Sequence, residues 1–310
     1  MNKMYYTICI PTYNRENTLL RTLESIERQN FRDFEVLIID DVSTDNTNAV
    51  VHNFIDNLDE KNKYRYIFKN NGGKHSVLNI GFKEAKGEFF IILDSDDWLC
   101  DNALAELYPY CKEIENNDAF CGVMGKSEDY DTGKMIGDPF PQELHETSYF
   151  EYHFILTQKI KVLDSFEAVK TRILKNYSFP EKKGMKFVPE AYVFDQIGVR
   201  YKLLLTNTVF RQIQYLDDGM TRNANFKRDN VSGFLYHYIS RIENVIPNAN
   251  VKGLQKLKIM VLSWWRYWEC VSLDKRNEGP RVNRVTITGR LVKVLSPVID
   301  RVFSIKYGSR

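Results

Sequence analysis

This chain lacks the features that would place it in several large classes. No apolar run reaches the roughly 18 residues that a membrane-spanning helix needs. In the N-terminal stretch "MNKMYYTICIPTYN", Pro11 cuts a short apolar run before it reaches signal-peptide length, so no secretory leader is expected. The five cysteines are an odd number without a CxxC pair or regularly spaced histidines, which argues against a disulfide framework or a zinc site and for a reducing compartment. With 43 Lys/Arg against 41 Asp/Glu and no dense basic block, nothing calls for a nucleic-acid partner. Repeats and low-complexity tracts are absent, and the expected location is the cytoplasm.

What remains is an ordinary globular composition on 310 residues, with strands and helices in alternation. "YTICIP", "FEVLIID", "YRYIF" and "EFFIIL" read as strands. Between them, "NTLLRTLESIERQ" sets Leu19, Leu20, Leu23 and Ile26 on one helical face, and "STDNTNAVVHNFIDNL" reads as a helix capped by Thr44 or Asp45 that buries Val50, Val51, Phe54, Ile55 and Leu58. "KHSVLNIGFKEAKG" reads as a third helix, with His75 as a helix-start residue. Strands that are apolar throughout predict a mostly parallel sheet covered on both faces. In such a sheet, ligands collect at the carboxyl ends of the strands. Here those ends carry "PTYN", "DDVSTD", "KNNGGKH" and "DSDD".

Beyond residue 100 the spacing predicts a helix over 101–115, a strand at "AFCGVMG", a hairpin-like connection at "SEDYDTGKMIGD", and a helix over 165–176. A loop then enters a helix after Pro189, and "KLLLTNTVFRQIQYL" reads as a strand pair or one long bent strand. From about residue 222 mixed apolar and basic helices follow. The expected organisation is therefore an α/β catalytic domain over 1–222 and a helical region over 223–310.

The stretch "EFFIILDSDDW" drives a buried strand into Asp94, Asp96 and Asp97, like charges that resist sharing a site. Paired carboxylates at a strand end can present hard oxygens to a divalent cation, leaving its other positions to water and phosphate. Such a cation would stabilise a departing diphosphate, which fits a sugar nucleotide. Tyr13, next to the hydroxyl of Thr12, is placed to stack on a nucleobase, and Asp41 to accept from the imide N–H of uracil.

Together, "TICIPTYNRENTLLRTLESIERQNFRDFEVLIIDDVSTDNT" and "NNGGKHSVLNIGFKEAKGEFFIILDSDDWL" resemble the N-terminal half of the family 2 glycosyltransferases, densely over residues 5–110 and more thinly to 222. The resemblance implies a GT-A fold, a nucleotide-diphosphate sugar donor (UDP-linked by preference), Mn²⁺ or Mg²⁺, and inversion at the anomeric carbon. It implies a donor-binding set of Pro11, Thr12, Tyr13, Asn14, Asp41, Lys74, Asn79, Asp94, Ser95, Asp96 and Arg222, with Asp94, Asp96 and Asp97 toward the metal. The arginine common in that family near Lys74 has no counterpart here. The family's acceptor-side base is an acid of a Glu-Asp pair at a helix start. In "FVPEAYVFDQ" that is Glu190, whereas Ala191 stands where the Asp is expected. Asp195 is the second candidate base, although the 3.6-residue period turns it about 140° from Glu190.

The sequence lacks the QxxRW motif of processive synthases, "SWWRYW" notwithstanding, so transfer of a single sugar to a glycan or lipid-linked acceptor of cell-surface polysaccharide synthesis is the expectation. Two rivals stand beside it. A nucleotidyltransferase would need a Gly-rich, Arg-containing loop after strand one, and "PTYNREN" has no glycine. A non-catalytic sugar-nucleotide or glycan-binding subunit fits the incomplete acid pair. The basic tail from Lys275, with Trp264, Trp265, Tyr267 and Trp268 ahead of it, suits docking on the inner face of an anionic membrane, and equally packing on the catalytic domain or in a homodimer.

Overall fold

A computed structural model describes residues 4–161, 163–215 and 225–307, with side chains to residue 299. Strands β1 (Tyr6–Thr12), β2 (Phe34–Asp40), β3 (Tyr64–Phe68) and β4 (Phe89–Ile92) lie parallel in the order β3-β2-β1-β4. Helices α1 (Leu19–Glu27), α2 (Thr47–Asp56) and α3 (Lys74–Glu84) make the crossovers. The unbroken apolar strands follow from burial on both faces. Ile8, Ile10, Val36 and Ile38 join one core with Leu19, Leu23 and Ile26, while Cys9, Leu37 and Ile39 join another with Val77 and Phe82. Parallel pairing of all four strands brings their carboxyl ends to one rim, as the sequence leads one to expect.

After β5 (Trp98–Leu99) and α4 (Ala103–Ile114), the sheet is extended by β6 (Phe120–Asp129). A hairpin joins β6 to β7 (Lys134–Met135), and β8 (Glu146–Thr147) leads into α5 (Tyr149–Phe154). Then come β9 (Phe166–Lys170), α6 (Thr171–Leu174), α7 (Ala191–Ile197) and β10 (Lys202–Ile213). The full strand order is β3-β2-β1-β4-β9-β6-β10-β5, with β7 on β6 and β8 on β10. β9 runs antiparallel to both β4 and β6, and the register shifts along β10 make it one long bent strand.

Three local expectations need correction. Residues 165–176 are a strand and a single helical turn. Phe166 and Ala168 face one core and Val169 the other, so the stretch answers to the sheet's period of two. Leu20 is solvent-exposed, because Thr22 takes the place beside Leu19, Leu23 and Ile26 on the buried face. Helix α2 starts later than Thr44 or Asp45, although Asp45 does hold its entrance by accepting from the Thr47 N–H at 3.0 Å.

The C-terminal helices are α8 (Phe226–Asp229), α9 (Val231–Ser240), α10 (Ile246–Asn248), α11 (Gly253–Leu273) and α12 (Ile287–Tyr307), with a π turn over Arg241–Val245. Trp264, Trp265 and Tyr267 are buried with Leu235, Cys270 and Val292, which is the packing alternative for these residues and not a place in a lipid headgroup layer. A fully buried tryptophan such as Trp264 holds this unit together by about 3–5 kcal/mol against truncation to alanine. The expected boundary at residue 222, and Arg222 itself, lie outside the described residues.

Candidate active site

The carboxylates after β4 answer the sequence's question about charge, since each of the three has its own protein cation. Lys74 Nζ meets Asp94 at 2.5 Å, Arg15 Nη2 meets Asp96 at 3.7 Å and Arg211 Nη1 meets Asp97 at 3.3 Å. The loop itself is fixed through its backbone. The Asp97 N–H closes a turn on the Asp94 carbonyl, and Thr18 Oγ1 and Thr22 Oγ1 of the α1 segment donate to the Ser95 and Asp97 carbonyls.

Cation supply is uneven among the three. Burial would raise the Asp94 carboxyl, but the Lys74 ammonium outweighs it and holds that carboxyl below its ordinary range. Asp96 is raised, by burial and then by the Asp94 charge, because Arg15 stands too far off to compensate. Asp97 is pushed up to about 7 by burial, Arg211 opposing and its two neighbours adding. Lys74 also reaches Glu190, so three cations serve four carboxylates at this junction.

On one side of these carboxylates a cleft of about 540 Å³ runs along the strand ends. Pro11, Thr12, Tyr13, Arg15, Asp41, Lys74, Asp94, Ser95 and Asp96 line it. Tyr13 is 47% exposed, and the hydroxyl of Thr12 is buried without a partner, as an opening for a ligand would leave it. Asp41 accepts from Lys69 Nζ at 2.6 Å and from the amides of Gly72 and Gly73 at 2.8 and 2.7 Å, so it shapes the loop before α3 as well as the cleft wall. Gly73 has φ +81°, and a Cβ there would lie 1.8 Å from the Lys186 carbonyl oxygen, so only glycine lets this loop pass. Asn14 is a fastener, tying the β1 and β2 loops by accepting from Thr44 N and donating its own N–H to Ser43 Oγ, both at 2.8 Å.

On the other side lies a second cleft of about 530 Å³, which shares Lys74, Asp94, Asp96 and Phe187 with the first. Glu190 heads α7 just after Pro189, and its Oε1 lies 2.8 Å from Lys74 Nζ. Lys74 thus bridges Asp94 and Glu190. Burial alone would favour its neutral amine, but the two carboxylates keep it charged.

Asp195 stands away from that junction. It is buried between His153 Nδ1 and Arg241 Nε, both at 2.6 Å, and the Arg241 guanidinium, with the His153 hydrogen bond adding, outweighs burial and keeps its carboxyl well below the usual range. It therefore acts on the second cleft through His153, which lines it. Asn79 is spent on the loop that follows α6, donating to the Phe179 carbonyl and Glu181 Oε1 and accepting from the Phe179 N–H, and it lines neither cleft. His75 is a buried residue of α3 packed on Phe179.

Among the described residues no three His, Cys, Asp or Glu side chains converge on one point. Asp94 and Asp96 face the shared end of both clefts, while Asp97 is drawn to Arg211. Asp94 and Asp96, at a junction where carboxylates outnumber cations, are hard oxygen donors that would suit a Mg²⁺ or Mn²⁺ ion.

Sequence reasoning missed Arg15, Arg211, His153 and Glu167. Glu167 lines the second cleft from β9, and burial pushes its carboxyl up to about 8, with Arg211 opposing and Glu190 and Asp164 adding. Its signal was the period of two in "FEAVK", hidden by the helical reading of that stretch. Arg15, in "PTYNREN", lay next to residues already singled out.

The family model described as glycosyl transferase family 2 matches residues 7–179, more than half of the chain. Poly(ribitol-phosphate) β-N-acetylglucosaminyltransferase TarS of Staphylococcus aureus is 27% identical over 198 residues, 61% of this chain but 33% of that protein. The GalNAc(5)-diNAcBac-PP-undecaprenol β-1,3-glucosyltransferase of Campylobacter jejuni is 29% identical over 176 residues, 57% of this chain and 55% of that one. The chain thus spans only a third to about half of the length of these two relatives. Among solved structures, residues 1–349 of S. aureus TarS in complex with UDP-GlcNAc superpose with a TM-score of 0.65 at 19% identity, over 94% of this chain and 79% of that one. A Pyrobaculum calidifontis mannosyltransferase in complex with GDP-Man and Mn²⁺ superposes with a TM-score of 0.56 at 14% identity, over 100% and 89%. The α/β fold is thereby shared with GT-A enzymes. By its match and by the residues at its strand ends, the chain belongs to the family 2 glycosyltransferases.

Proposed function

We propose that the protein transfers a single sugar from a nucleoside-diphosphate sugar, UDP-linked by preference, to a glycan or lipid-linked acceptor, with inversion and with the aid of a divalent metal. One observation carries this reading: two clefts meet at a Lys74 that joins Asp94 of the first to Glu190 of the second. In it the nucleotide occupies the first cleft, with Tyr13 against the base and Thr12 and Asp41 at its polar edge. Mn²⁺ or Mg²⁺ at Asp94 and Asp96, once bound, would neutralise charge developing on the departing diphosphate. Lys74 has three N–H donors and spends two on carboxylates, which leaves one for a phosphate oxygen. The acceptor hydroxyl enters from the second cleft and gives its proton to Glu190. Its oxygen attacks the anomeric carbon from the face opposite the diphosphate, which leaves as the C–O bond to the sugar breaks.

The names of the relatives support nucleotide-sugar chemistry in surface-glycan synthesis, and the bound UDP-GlcNAc and GDP-Man of the structural neighbours support the donor class. The test is a panel of UDP- and GDP-sugars with Mn²⁺ or with chelator, scoring products even without acceptor. Slow, metal-dependent release of nucleoside diphosphate is expected. Pyrophosphate instead would establish a nucleotidyltransferase, and binding without turnover under any acceptor would establish a sugar-nucleotide-binding subunit.

A further inference from the structure

The two faces of α12 are unlike. On the inner face, Gly289 lies flat on the Trp264 indole, where a Cβ would come within 2.8 Å, and its carbonyl accepts from Trp268 Nε1 at 2.9 Å. Val292 on the same side is buried. On the outer face Ile287, Leu291, Val294, Leu295 and Val298 are 50 to 80% exposed. Their spacing of i, i+4, i+7, i+8 and i+11 makes one continuous stripe, roughly 16 Å long at 1.5 Å per residue. Such a stripe exposes on the order of a few hundred Å² of apolar surface, an amount that a soluble surface seldom leaves without a use.

The charge around the stripe is mostly of one sign. Between Lys275 and Tyr307 the sequence holds eight Lys/Arg, Lys275, Arg276, Arg281, Arg284, Arg290 and Lys293 among them, against the two acids Glu278 and Asp300. Arg281 is taken up by Asp274, and Lys293 leans over the Trp268 ring at 4.6 Å. Arg284 and Arg290 are exposed and have no carboxylate partner among the described residues. A second copy would bring the same cations against themselves, and the stripe falls short of the roughly 800 Å² per partner of a stable interface. Protein contact surfaces are also enriched in aromatics and methionine, whereas among the described residues this one holds Ile, Leu and Val. A helix with an aliphatic stripe, a cationic border and too few apolar residues to cross fits the plane of an anionic bilayer.

We propose that the outer face of α12 docks this protein on an anionic lipid surface, with Ile287, Leu291, Val294, Leu295 and Val298 entering the acyl boundary and Arg284 and Arg290 meeting lipid phosphates. The proposal does not depend on the transfer chemistry, so the two stand or fall separately. The test is flotation of the full chain with vesicles of phosphatidylcholine alone and of phosphatidylcholine with phosphatidylglycerol, at low and high salt. Binding to the anionic vesicles alone, weakened by salt, is expected. Leu291→Glu with Val294→Glu should abolish it, and Arg284→Glu with Arg290→Glu should weaken it on the order of tenfold or more, as each cation near such a surface counts about fivefold. Circular dichroism and donor hydrolysis should be unchanged in both double variants. Absence of wild-type flotation, or equal flotation of the Leu291→Glu/Val294→Glu chain, would overturn the proposal. So would a wild-type dimer in light scattering that those two substitutions split, which would make a second copy the occupant.

Discussion

The two clefts that meet at Lys74 are built in opposite ways. Every polar wall of the nucleotide cleft up to Asp96 comes from a strand end or the few residues after it, and local bonds hold it: Asp41 to Gly72 and Gly73, Asn14 to Thr44, Asp40 to Ser43. The second cleft draws Tyr149 and His153 from α5, Glu167 from β9, Glu190 from the start of α7 and Arg211 from β10. Its inner support reaches the C-terminal region, where Arg241 grips Asp195. A topological rule fixes the strand-end wall of the first cleft, because parallel strands must end together, while Lys186, Phe187, Phe226 and Asn230 close it from outside the sheet. The second is fixed only by tertiary packing of distant segments, and this is the side on which glycan acceptors of one family would differ.

The sharpest way to break this comparison is Glu190→Gln. If the second cleft supplies the base and the first the donor grip, transfer should fall by roughly 10² to 10⁴ while metal-dependent donor affinity stays near that of wild type. The pair of measurements is steady-state transfer and calorimetric titration with UDP. Near-normal turnover would move the base elsewhere on the acceptor wall, first to Glu167, since Asp195 is buried behind His153. Loss of UDP affinity instead would mean that Lys74, deprived of one carboxylate, couples the clefts so strongly that they cannot be treated apart.

The same contrast explains how much was legible in the sequence. The parallel strands, their rim and the carboxylates after β4 were readable, because β1, β2 and β4, buried on both faces, leave an unmistakable apolar run, while the edge strand β3 is half-buried and carries Arg65. The residues 165–176 were not, because the five residues of β9 carry too little period to tell a strand from a helix turn, and Val169 directly after Ala168 breaks what alternation there is. With β9 unread, Glu167 had no face and the acceptor wall no floor. The positive charge near Asp94, Asp96 and Asp97 was equally hidden. Arg211 lies more than a hundred residues downstream, and its approach depends on β10 reaching β5 across the sheet.

Asp195→Asn tests whether the C-terminal region reaches into catalysis. The amide keeps the shape but loses the charge that His153 and Arg241 share, and breaking one side of a buried ion pair costs up to about 3–5 kcal/mol. Thermal unfolding should therefore shift down. In protein that remains folded, transfer should drop roughly 10- to 100-fold, the span expected when a group lining the site moves by about 1 Å, with UDP affinity preserved. His153→Gln should reproduce the loss of transfer with a smaller loss of stability. Wild-type transfer in both variants would leave the Arg241–Asp195–His153 chain as scaffolding alone.

The smallest effect asks how dry the acceptor wall is. In the ligand-free protein burial raises the Glu167 carboxyl to about 8 from its ordinary 4.5, so the folded chain holds that proton longer than the unfolded chain does. Its contribution to stability is full below pH 4.5, declines as pH rises and is lost above pH 8. Glu167→Gln has no such proton to lose. The variant should therefore match the wild type at pH 4.5 and exceed it at pH 9, by about 1–2 kcal/mol once solvent reaching the cleft is allowed for. Urea unfolding at the two pH values measures the gap. A gap that does not widen with pH would mean that water already solvates Glu167, and the acceptor cleft would then be as open as the nucleotide cleft beside it.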